Sequence, residues 1–157
     1  MEKKYAGFWW RFIAFLLDGA ILWIIQLVLI TPFLGIIGFS AYKASSGDLN
    51  ETQALGMAGA IIGTLILTWA LSIVAAWLYF ALMESSKFQG TVGKIALGIV
   101  VTDVEGNRIS FARATGRYFS KFISGFILMI GYIMAGFTEK KQALHDIIAS
   151  TLVWKKA

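Results

Sequence analysis

The chain has 157 residues; 58% are hydrophobic and only 15% are charged, against roughly 25% charged in an ordinary soluble domain. So few charges cannot cover a soluble body of this size, and such hydrophobicity excludes disorder. With no cysteine and one histidine, disulfide frameworks and zinc hydrolase centres are excluded too. The class that remains is an all-α integral membrane protein.

Three stretches carry no Asp, Glu, Lys or Arg: residues 19–42, 52–83 and 122–138. About 20 apolar helical residues cross a hydrocarbon core of about 30 Å. The pattern predicts one membrane domain with spans at about 8–38, 54–83 and 119–137, a loop at 84–118 and a tail at 138–157. The first run is longer than the apolar region of a signal peptide and carries Asp18 near its start, so it reads as a retained span. Tyr5, Trp9 and Trp10 at its head, and Trp154 beside Lys155, read as interface anchors. Pro32 is expected to kink or end the first helix. Gly59 and Gly63, one turn after Gly56, form a GxxxG face suited to packing within the chain or to a homodimer.

Basic residues set the orientation. Lys3, Lys4 and Arg11 precede the first span, and six more bases lie between Glu84 and Lys121. The N-terminus and the second loop are therefore expected on the cytoplasmic side of the cell membrane. The tail bases Lys140, Lys141, Lys155 and Lys156 conflict with a third crossing. Either the third run spans, or it turns back at Gly125, Gly131 and Gly136 as a re-entrant hairpin.

In the second loop, Ile99 to Thr102 reads as a strand, Asp103 to Asn107 as a turn, and Arg108 to Phe111 as a returning strand. Ser110 is placed to cap a helix carrying Arg113 and Arg117 on one face, where they would touch anionic lipid headgroups. Residues 142–154 read as an amphipathic helix, with 150–154 equally legible as a strand able to pair with Ile99–Thr102.

Chemistry is sparse. Gly90-Thr91-Val92-Gly93-Lys94 lacks the spacing of a phosphate-binding loop, and no serine elbow exists, so no catalytic residue, enzyme, metal or cofactor is expected. Asp18 is the one acid inside an apolar run, where a charge costs about 2.5–3.5 kcal/mol. Arg11 two turns earlier and Gln26 two turns later complete a polar stripe. It reads either as a structural ion pair or as a site that exchanges a proton or cation.

Phe8-Trp9-Trp10-Arg11-Phe12 with Asp18, then Gly90-Thr91-Val92-Gly93-Lys94 with Gly98 to Val101, and finally Gln142-Ala143-Leu144-His145-Asp146 with Ala149 and Thr151, together resemble the RDD family of small membrane proteins. Ser150 departs slightly, since small Gly is common there. The resemblance implies three hydrophobic segments and assigns the family's arginine to Arg11 and its aspartates to Asp18 and Asp146. It implies either monovalent cation/proton exchange or a role in assembling larger membrane complexes. On that basis Arg11 is expected to be bridged by Asp18 and Asp146 near the cytoplasmic interface, with His145 and Gln26 nearby. The expected function is Na⁺/K⁺/Li⁺–proton exchange in a homo-oligomer, with a non-transporting scaffold as the alternative. Expected partners are the anionic inner leaflet and monovalent cations, not nucleic acid.

Overall fold

The computed structural model describes residues 4–47, 50–126 and 130–156. Helices α1 (Phe8–Ser45) and α2 (Glu51–Ser85) have 38 and 35 residues and are both long and apolar enough to cross a membrane. Runs of Leu, Ile, Ala and Phe favour them, and lipid favours a backbone bonded within its own segment. Pro32 lies inside α1, yet the helix continues to Ser45, so the expected ending there does not occur. Asn50 and Gln53 cap α2 reciprocally: Gln53 N–H donates to Asn50 Oδ1 at 2.9 Å, and Asn50 N–H to Gln53 Oε1 at 3.1 Å.

The chain forms two compact units, Met1–Ala20 with Ala76–Ala157, and Ile21–Ala75. In the second, a Cβ added at Gly56, Gly59 or Gly63 would meet nothing within 4 Å. Among the described residues, nothing therefore packs closely against these three glycines.

The first unit holds the remaining elements. After α3 (Val92–Ala96) comes β2 (Ile99–Asp103), and the chain closes with α6 (Leu144–Ile148) and β3 (Thr151–Lys155). With β1 (Lys4–Tyr5) the strands make an antiparallel sheet of order β1-β3-β2, with Val101 opposite Val153 and Thr102 opposite Leu152. The pairing read from the sequence is present. The returning strand at 108–111 is not. Asp103 Oδ1 accepts the N–H groups of Glu105 and Asn107 at 3.0 and 2.8 Å, which stabilises a tight turn in place of a hairpin ladder. Ser110 Oγ then accepts the Arg113 N–H at 3.2 Å as helix α4 (Phe111–Phe126) begins.

The third apolar run is not one straight helix. Helix α5 (Ile130–Ile133) and a single 3-10 turn (Met134–Gly136) are turned 117° from α4. Tyr132 OH donates to the Lys121 carbonyl at 3.0 Å, and a Cβ at Gly131 would stand 2.8 Å from Ser124 Cα. Glycine is what permits that approach. Helix α4 is turned inside out relative to a water-soluble helix. Ala114, Arg117, Ser120 and Ser124 are buried, while Phe119, Phe122, Ile123 and Phe126 are exposed. An apolar outer face is the arrangement that lipid favours.

Candidate functional site

Asp146 organises the first cluster. It sits in the first turn of α6, where its Oδ2 accepts the Ala143 N–H at 3.0 Å and caps its own helix. Its Oδ1 accepts Nε and Nη2 of Arg117 at 2.9 and 2.6 Å, and Arg11 Nη1 pairs with its Oδ2. Arg11 also donates to the carbonyls of Ala6, at 2.8 Å, and Lys141, at 2.5 Å. One guanidinium thus joins the start of α1 to the tail.

Arg117 spans two carboxylates. Its Nη1 donates to both oxygens of Glu84 at 2.7 Å, while its other edge holds Asp146. Lys94 of α3 pairs with Glu84, and Lys121 Nζ lies 4.0 Å from the same carboxylate and 4.0 Å from the Phe80 ring centre. Glu84 and Asp146 are almost wholly enclosed, as is Arg117 at 2% exposure. The planar fork of Arg suits such a double contact, which Lys cannot make. Four cations thus converge on two carboxylates from α1, α2, α3, α4 and α6. Burial alone would raise the Asp146 pKa, but Arg117 and Arg11 overcome it and hold the carboxyl well below its usual range. Burial pushes the His145 imidazole well below its usual value, with the nearby Asp146 opposing only in part. His145 Nδ1 lies 3.4 Å from Ser124 Oγ, and its Nε2 lies 3.6 Å from Asp146.

Asp18 forms a separate cluster. Its Oδ1 accepts Tyr79 OH and the Gly93 N–H, both at 2.8 Å, and its Oδ2 accepts the Thr91 hydroxyl at 2.5 Å. Thr91 and Gly93 lie at the start of α3 and Tyr79 on α2, so Asp18 caps α3 from a distant part of the chain. Tyr79 OH in turn accepts the Val92 N–H at 3.1 Å. A Cβ at Gly93 would collide with the Ala14 carbonyl and stand 3.0 Å from the Asp18 carboxyl. The glycine is what lets the loop close on α1.

The expected bridge from Arg11 to Asp18 is therefore absent among the described residues. Arg11 turns to Asp146 and two carbonyls, while Asp18 takes neutral donors. Gln26 belongs to the Ile21–Ala75 unit and makes no hydrogen bond among the described residues, so the stripe does not act as one group. Arg117 does not face headgroups, because it lies on the inward face of α4 between Glu84 and Asp146. Arg113 is the exposed one of the pair: its side chain is 41% accessible, with Nη1 3.6 Å from Asp103 Oδ2.

Sequence reasoning did not single out Glu84, Lys94, Tyr79 or Thr91 as site residues. Glu84 ends a charge-free run, where a charge reads simply as an interface residue. Lys94 and Thr91 did stand in a glycine-bracketed stretch, and that stretch was the available signal.

This architecture agrees with the protein comparisons. The chain matches the RDD family over residues 5–150. It belongs to the RDD family. Two relatives come from Bacillus subtilis (strain 168). YxaI, an uncharacterized protein, is 39% identical over 158 residues, covering 98% of each chain. YteJ, an uncharacterized membrane protein, is 32% identical over 159 residues, covering 98% of this chain and 82% of its own. No solved structure matches the chain.

Proposed function

We propose that this RDD protein is a non-enzymatic scaffold that binds other membrane proteins, with its basic end on the cytoplasmic side of the cell membrane. In this reading Arg11, Asp18 and Asp146 hold the fold together and carry no ion. One observation supports it: each of the three is taken up by bonds within the chain that tie the loop at 91–93, α4 and the tail to one another and to the long helices. Helices α1 and α2 also run about 57 and 52 Å at 1.5 Å per residue, well beyond a hydrocarbon core of about 30 Å. The surplus apolar length favours tilt or a helical neighbour.

A second reading, cation/proton exchange at Asp18, draws on a different observation. Among the described residues Asp18 is the buried acid whose bonds all come from neutral groups, so no cation neutralises it directly. Reconstitution in liposomes carrying a pH dye separates the two. The scaffold reading expects no pH response to added Na⁺ or K⁺, and expects Asp18→Asn to lower stability. A cation-dependent response that Asp18→Asn abolishes, with the variant still folded, would overturn it in favour of exchange.

A further inference from the structure

An open groove of about 470 Å³ runs between the flank of α4 and the turn from α6 into β3. One wall is Ser110, which caps α4, with Arg113, Gly116 and Ser120 of that helix, and Ile148 and Ser150 stand opposite. We propose that this groove binds the phosphodiester headgroup of an anionic phospholipid.

The lining has the right chemistry. Guanidinium and hydroxyl groups are the side chains that recognise phosphate oxygens, the former by charge-assisted hydrogen bonds. Arg113 is the groove's cation, and among the described residues its side chain has one ionic partner, Asp103 at 3.6 Å, which is long enough to yield to a phosphate. Asp103 is the acidic group facing it and opposes binding in part. The floor is left open by Gly116, where a Cβ would meet nothing within 4 Å. Its position selects a lipid over a free anion. The same helix exposes Phe119, Phe122, Ile123 and Phe126. An apolar face of this kind sits at the headgroup boundary. Arg113 and Ser120 lie on the other side of that helix, so one lipid can place its chains against the phenylalanines and its phosphate in the groove.

The full-length protein purified in detergent tests this through native mass spectrometry with phosphatidylglycerol, phosphatidylcholine or inorganic phosphate. Wild type should retain phosphatidylglycerol in preference to phosphatidylcholine. Arg113→Gln and Gly116→Leu should each weaken retention on the order of tenfold, the loss expected for one charged hydrogen bond. Leu at position 116 raises helix propensity and fills the groove without a backbone clash, so an unchanged thermal midpoint should accompany the loss. Should that variant fail to fold, the exposed Arg113→Gln decides alone. Equal retention by wild type and the folded variants would overturn the proposal. Displacement of phosphatidylglycerol by inorganic phosphate alone would also overturn it, since the groove would then read a free anion.

Discussion

Replacing Arg117 with Met is the most direct test of the charged cluster. The substitution keeps an unbranched apolar stem but removes four hydrogen bonds, two to Glu84 and two to Asp146. Removing one member of a buried ion pair costs about 3–5 kcal/mol, because it strands the opposite charge. Here the carboxylates keep other partners: Glu84 retains Lys94, and Asp146 retains Arg11 and the Ala143 N–H. The lower end, about 3 kcal/mol, is therefore expected. Arg117→Lys preserves the charge but cannot bridge two carboxylates, so about half that loss should follow. Reversible unfolding in mixed micelles, followed by tryptophan fluorescence, measures these differences. Trp77 is a suitable reporter because its Nε1 donates to Thr115 of α4 at 3.1 Å. Adding Glu84→Gln to Arg117→Met should cost less than the sum of the single changes by about 1 kcal/mol or more. A loss under about 0.5 kcal/mol for Arg117→Met, or strict additivity in the double variant, would refute the reasoning.

Stability should also fall with acid in two stages. His145 is held neutral in the fold, so the unfolded chain binds a proton first, and stability begins to drop below about pH 6.5. Asp146 has its folded pKa depressed, so its contribution is complete above about pH 4 and is lost as pH falls below that. Thermal midpoints across pH should show both stages, and His145→Gln should remove the upper one alone. Gly93→Ala should destabilise by about 1–3 kcal/mol through its clash with Ala14, read by the same micelle titration. Gly59→Ala should leave monomer stability equal or higher, since its Cβ enters open space. Any change it causes should appear in oligomeric state by light scattering.

The sequence made much of this legible. Charge-free runs mark α1 and α2 because lipid excludes charge. The Arg11–Asp146 contact followed from the family resemblance, and the β2–β3 pairing from β-branched residues at 99–102 and from Thr151, Val153 and Trp154. Partner choice was less legible. Asp18 sits on the same helix as Arg11, and helical spacing suggested a bridge, but its donors come from positions 79, 91 and 93. No local period encodes such distant closures. The burial of Arg117 was missed for another reason. A polar helix face is turned outward in water, and α4 reverses that rule: its phenylalanines are exposed while Arg117, Ser120 and Ser124 are buried.

The sheet order carries a consequence for biogenesis. β3 is the last described element in chain order, yet it is the middle strand between β1 and β2. Neither of the others can pair until it arrives, and Asp146 emerges only five residues ahead of it. During synthesis Arg11 and Arg117 are therefore both made before the Asp146 carboxylate that joins them, and Arg117 has only Glu84 until position 146 is reached. A nascent protein stalled before this point would hold Arg11 without its acidic partner and Arg117 with one carboxylate of its two, a chemical mark by which unfinished copies differ from finished ones.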